Sequence, residues 1–227
     1  MDLLVLHGWG HTKKEWMNLE SQLRGIQAIR SVHIIDLPGF GEEPLPPTNW
    51  GIPEYAEWVS LYIKRQKLSD VILLGHSFGG RIAAYLASQD PAYVKALILS
   101  GTPTIYSPST SVKIKKLFSK TFKSVTPDIV KSQFYSDDLK VASTKGLGGI
   151  LRNVVPFDQT SFLPRIKVPT LLIWGENDDS APLQIAHKTN TLIPKSQLKV
   201  IKKAKHNTFV SHPYLFFGYV KEFIEQL

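Results

Sequence analysis

Residues 71–80 read VILLGHSFGG, and RIAAYLAS follows at residues 81–88. Four apolar residues, two of them β-branched, read as a buried strand. The next stretch has apolar residues at helical spacing and reads as a helix. Between them lies Gly75-His76-Ser77-Phe78-Gly79, a G-x-S-x-G pattern at a strand-to-helix turn. That context separates a nucleophile elbow from an ordinary glycine loop. A serine held in a sharp turn needs close backbone approach on either side, and glycines permit it. The helix that follows also favours negative charge developing at its start.

Outward from this turn the chain alternates. Residues 2–6, 32–35, 70–74, 95–99, 170–174 and 197–201 read as strands rich in Val, Ile or Leu. Residues 14–23, 53–66, 80–88, 183–192 and 214–226 read as helices. Strand and helix in alternation predict an α/β protein with a mostly parallel sheet of about six strands covered on both faces. Right-handed crossovers place the carboxyl ends of all strands on one edge, where open α/β sheets bind ligands. The 227 residues, 43% hydrophobic and 20% charged, suit one domain with a sizeable core.

The alternation breaks at residues 103–165. Stretches 112–125, 128–135 and 138–154 read as helices, the last interrupted by Gly146, Gly148 and Gly149. They are read as a helical cap inserted over the sheet edge, with residues 1–102 and 166–227 as the core. The cap holds ten Lys/Arg against four Asp, most of the net charge of +8. Its basic stripe reads as a solvated helix face. The functional counterpart is attraction of an anionic substrate or an acidic surface. Nucleic acid is not an expected partner, because aromatic residues do not interleave with the cations.

A serine alcohol needs a base to become a nucleophile, and the base needs an orienting acid. His206, after the last strand in KKAKHNTF, falls on the same edge as Ser77. His11, His33, His187 and His212 read as surface or structural residues. His7 and His76, inside the glycine motifs, read as packing or hydrogen-bonding groups. The fifth strand runs into Trp174-Gly175-Glu176-Asn177-Asp178-Asp179, so a carboxylate of this loop emerges on the correct edge. Gly39-Phe40-Gly41 lacks the third glycine and the immediate helix of a dinucleotide site, and Asp36 before it reads as structural. Trp16, Trp50 and Trp58 read as packing aromatics.

HGWG (7–10), DLPGFGE (36–42), GHSFGG (75–80), WGENDDSAP (174–182) and KHNTF (205–209) together resemble the α/β-hydrolase fold family, in its capped carboxylesterase and carbon–carbon hydrolase branch. The matching pieces span nearly the whole chain. The family's G-x-x-D-x-x-x-P pattern implies Asp178 as the acid, with Pro182 closing the pattern, Asp179 as the rival and Glu176 as a structural residue. The resemblance implies an oxyanion hole made by the backbone N–H of Phe78 and of Trp9. In one respect the chain departs: the one or two strands that usually precede the H-G motif are absent, since the motif begins at residue 7.

The expectation is therefore a serine hydrolase that cleaves carboxylic esters of short-to-medium acyl chains through Ser77, His206 and Asp178. A lactone is a cyclic ester and uses the same parts. A carbon–carbon bond hydrolase or a cofactor-free perhydrolase would share the triad; a ligand receptor that kept the fold is the rival from another class. Dehalogenase and epoxide hydrolase relatives carry Asp where Ser77 stands. No cofactor and no metal is expected. Leu117, Phe118, Phe122 and Leu151 are the expected apolar wall of the pocket. Cysteine is absent, so thiolate chemistry is excluded. The first residues have neither the basic start nor the length of a signal peptide, and no apolar run approaches a membrane span. A cytoplasmic protein acting on small molecules is the expectation; oligomeric state is not legible.

Overall fold

The computed structural model describes residues 1–106 and 146–227. Six strands form one sheet in the order β2-β1-β3-β4-β5-β6, every neighbouring pair parallel. They are β1 (Asp2–Leu6), β2 (Ser31–Ile35), β3 (Val71–His76), β4 (Val94–Ser100), β5 (Thr170–Gly175) and β6 (Ser196–Ile201). The described helices are α1 (Met17–Arg24), α2 (Ile52–Arg65), α3 (Phe78–Ser88), α4 (Gly148–Val154), α5 (Leu183–Leu192), α6 (Thr208–Ser211) and α7 (Pro213–Ile224).

Strand period explains the two cores. Leu4, Leu6, Leu73, Leu97, Leu99 and Leu172 point to one face and pack on Tyr55, Val59 and Ile63 of α2 and Ile82 of α3. Their neighbours Leu3, Val5, Ile72, Leu74, Ile98 and Ile173 point to the other, against Leu19 and Leu23 of α1 and Phe216 and Val220 of α7. Both faces are therefore dry, which is why the strands read as continuous apolar runs. Leu147, Ile150, Leu151 and Val154 join the first core beside Leu37, Phe40 and Phe78. Leu117, Phe118 and Phe122, the stretches 112–125 and 128–135, and eight of the ten cap cations lie outside the described residues.

β2 stands at one edge of the sheet. Here the Arg24 guanidinium reaches over from α1 and donates to the Val32 carbonyl at 3.0 Å, satisfying an edge acceptor. At the other end of the strands, Asp2 is 1% exposed and gathers the starts of three strands. Its carboxylate accepts from Arg30 Nε at 3.0 Å, Ser31 Oγ at 2.7 Å and the Ser69 N–H at 2.9 Å. Burial opposes its charge, but the Arg30, Ser69 and Ser31 donors outweigh burial and hold its pKa down at about 2.

A carboxylate with a depressed folded pKa stabilises above its unfolded value of about 4, and loses that contribution as pH falls toward the folded value. Asp2→Asn is expected to lower stability by about 2 kcal/mol at neutral pH. The gap to the wild type should close between about pH 4 and pH 2. Urea denaturation of the two proteins across this range checks it; a pH-independent gap would refute the linkage.

Candidate active site

β3 ends at His76 and α3 begins at Phe78, so Ser77 alone makes the turn. Its backbone sits at φ 50° and ψ −110°, a strained conformation for a residue with a side chain. Neighbouring backbone holds it there. The Ser77 N–H donates to the Ser100 carbonyl at 2.9 Å, and the Gly79 N–H donates to the His7 carbonyl at 3.1 Å. The elbow is thus stitched to the ends of β4 and β1, the strands that flank β3. Gly79 passes so close to β1 that a Cβ there would lie 2.6 Å from the His7 carbonyl oxygen. The family glycine is a packing requirement at this position. Ser77 itself is 7% exposed.

Asp178 and His206 meet on the same edge. Asp178 leaves the end of β5 and His206 the end of β6. His206 Nδ1 lies 2.8 Å from Asp178 Oδ2. The other oxygen, Oδ1, accepts from the Ser180 N–H at 2.9 Å and the Ala181 N–H at 2.8 Å. A fully buried carboxylate is costly without partners; this one has three, the Ser180 and Ala181 N–H groups and the His206 ring. The carboxylate puts the ring proton on Nδ1 and leaves Nε2 as the basic nitrogen. Asp179 is exposed. Glu176, also exposed, accepts from the Lys203 N–H at 2.9 Å and so closes the loop. Of the three carboxylates, only Asp178 touches the histidine.

Two features were not visible beforehand. Gly101, directly after β4, takes φ +51°, and a Cβ on it would stand 3.0 Å from His206 Nδ1 and 3.2 Å from Asp178 Oδ2. The signal was the glycine in SGTP (100–103), at the carboxyl end of a strand on the site edge. The second feature is a column of imidazoles. The His76 ring is 4.7 Å from that of His206 and 5.0 Å from Phe209, and His11 stacks on it at 5.7 Å. Burial first, then the nearby His206 and His11, push the His76 pKa well below its ordinary value. A neutral ring therefore fills the space behind His206. His7 is likewise held neutral, pushed down to about 4 chiefly by burial. Its Nε2 accepts from the Leu37 N–H at 2.9 Å while Nδ1 faces the Gly8 carbonyl at 2.8 Å. It ties the loop after β1 to the loop after β2.

That first loop runs beside the serine: a Cβ on Gly8 would be 3.5 Å from Ser77 Cβ. The Trp9 ring packs edge-on against Phe78 at 5.3 Å and Phe40 at 5.1 Å. Phe78 opens α3, so its N–H belongs to the first turn, which has no intrahelical acceptor. Leu151 is buried in the core cluster that contains these aromatic rings. Among the described residues no group of three His, Cys, Asp or Glu is placed to hold a metal ion.

Residues 3–134 and 127–213 match the family model described as alpha/beta hydrolase fold. A pimeloyl-[acyl-carrier protein] methyl ester esterase of Aeromonas salmonicida is 26% identical, over 98% of this chain and 95% of its own length. Among solved structures, an esterase from Exiguobacterium antarcticum superposes with a TM-score of 0.77 at 22% identity, covering 99% of this chain and 92% of that one. MenH from S. aureus superposes with a TM-score of 0.74 at 24% identity, covering 100% of this chain and 94% of that one.

The tight elbow carries its own test. Gly79→Ala forces a methyl group into the backbone of β1 and is expected to destabilise by about 3 kcal/mol. Gly218→Ala, in the exposed middle of α7 with no neighbour within 4 Å of its Cβ position, is expected to stabilise by about 0.5–1 kcal/mol. Thermal unfolding of both variants reads the contrast, and equal effects would show that the elbow is looser than described.

Proposed function

This chain belongs to the α/β-hydrolase fold family, and on that premise we propose that it is a serine hydrolase of carboxylic esters. Ser77 Oγ attacks the acyl carbon and passes its proton to His206 Nε2. Asp178, bound to Nδ1, orients the imidazole and stabilises its charged form. The N–H groups of Phe78 and Trp9 receive the oxyanion. When the tetrahedral intermediate collapses, His206 returns the proton to the departing alcohol. A water activated by His206 then hydrolyses the acyl-enzyme. The observation that carries this reading is the buried Asp178–His206 pair, 2.8 Å apart, on the edge where Ser77 stands in a strained turn.

The substrate class we propose is an ester of a short-to-medium acyl chain, lactones included. The name of the Aeromonas relative, an esterase for the methyl ester of a carrier-bound acyl chain, supports ester cleavage of a modest acyl group. Residues 103–165 are proposed as the cap, with Leu117, Phe118, Phe122 and Leu151 as the apolar wall. Each methylene such a wall encloses contributes about 0.8 kcal/mol of transfer energy, until the wall ends.

Ser77→Ala and His206→Ala are each expected to lower kcat at least about 10³-fold in folded protein, because the groups act as a unit. Asp178→Asn is expected to cost far more activity than Asp179→Asn. A panel of aryl esters of graded chain length, with lactones and carbon–carbon substrates alongside, reads these effects. Undiminished turnover in Ser77→Ala would refute the nucleophile, and the reverse order of the Asp variants would move the acid by one residue. Rates still rising at long lipid chains would refute an enclosed wall.

A further inference from the structure

From residue 180 to residue 221 the chain has seven lysines and no Asp, Glu or Arg. Some of that charge is locally answered: Lys199 faces Glu222 at 3.4 Å and Lys221 faces Glu225 at 3.8 Å. Lys202, Lys203 and Lys205 are exposed on the loop that leaves β6 for His206, and among the described residues none of them is in an ion pair. The same loop leads directly into exposed apolar side chains. Val210 is 57% exposed, Tyr214 82% and Leu215 50%. α7 runs back along the sheet, so its first residues, Tyr214 and Leu215, lie at the edge that holds the site.

These side chains are not loosely placed. Their chain neighbours Phe209 and Phe216 are buried, and Phe209 stacks flat on Trp16 with ring centres 4.0 Å apart. Met17, next to Trp16, is 58% exposed and extends the apolar area onto α1. A rigid aromatic layer thus carries aliphatic and phenolic groups outward, on the chain segment that also holds the exposed Lys202, Lys203 and Lys205. Exposed apolar side chains gathered on one buried aromatic layer, with lysines near them in the chain, mark an interaction surface.

We propose that this surface docks on anionic lipid, turning the sheet edge that holds the site toward a bilayer. Two observations choose the occupant. The cations are all lysine, which is depleted in the cores of protein interfaces and acts as a point charge rather than a directional fork. The pairing of lysines with outward aliphatic groups and a tyrosine is the pattern of a protein held at an anionic lipid interface. Among the described residues no helix is long and apolar enough to cross a membrane, so the contact is peripheral. It would bring apolar esters dissolved in lipid to the site.

The test is co-sedimentation of the full chain with phosphatidylcholine vesicles, with and without phosphatidylglycerol, at low ionic strength. Binding is expected only with phosphatidylglycerol, and it should fall as salt is raised. Lys202→Gln with Lys203→Asn is expected to lower partitioning about thirty-fold. Tyr214→Ser with Leu215→Ser is expected to lower it at least about tenfold. Both pairs should leave the melting temperature unchanged, a control that does not depend on esterase activity. Absence of binding to phosphatidylglycerol vesicles overturns the proposal, as does binding that neither pair weakens. If an acidic protein is bound in place of vesicles and both pairs abolish that, the surface is a protein interface and the lipid assignment falls.

Discussion

The backbone of Ser77 cannot hold φ 50° on its own; the Ser100 and His7 carbonyls hold it there. This one constraint dictates much of the rest. The turn must lie between the ends of β1 and β4, so β3 must sit between those strands, and the order β1-β3-β4 follows. The chain at Gly79 must touch β1, so no side chain fits there. β5 and β6 then add on the β4 side, and the residues that leave their carboxyl ends, Asp178 and His206, emerge on the same sheet edge as the serine. The strain is borne by two strands with cores on both faces, which is a stable place to store it.

A second rule governs the site: a buried carboxylate with a donor on each oxygen stands near neutral rings. Asp178 has three donors for its two oxygens. His7 and His76 lie close by but are kept uncharged by burial. In the proposed mechanism, a second cation next to His206 would oppose the charge that this imidazole takes up as general base. Two neutral imidazoles instead supply packing and hydrogen bonding, consistent with their places inside the glycine motifs. Asp36, near His7, accepts the Lys13 N–H at 2.7 Å and the Glu42 N–H at 3.1 Å, and braces the loop after β2.

The sheet was readable because both of its faces are dry. β1 and α5 have the bounds expected; β2, β4, β5 and β6 extend by a residue or two, while β3 starts one residue later, at Val71, because Asp70 takes φ 47°, and runs two residues further, to His76. Departures have local causes. The helix expected at residues 14–23 starts as a 3-10 turn, Lys13–Trp16, because Thr12 and Glu15 form a capping box there. α3 starts at Phe78 rather than Gly80, since close packing suits glycines inside its first turn. Of the stretch expected as helix at 138–154, residues 138–145 lie outside the described residues and Gly148–Val154 is helical, with its apolar residues in the main core. Motif and chain order single out Ser77, His206 and Asp178, and the structure sets Asp178 Oδ2 against His206 Nδ1. Gly101 and the His11–His76–His206 column were not legible in the sequence, because each is a contact among residues from separate elements with no common spacing in the chain.

The central claim is that Ser77 is the nucleophile, activated by the Asp178–His206 pair. Covalent capture addresses it without any assumption about substrate. The protein is treated with a fluorophosphonate, which reacts with an activated serine, and the intact mass and peptide map are recorded. The account requires one adduct per chain, on Ser77, and its loss in His206→Ala. An adduct on another serine, or no adduct on folded protein, would contradict it.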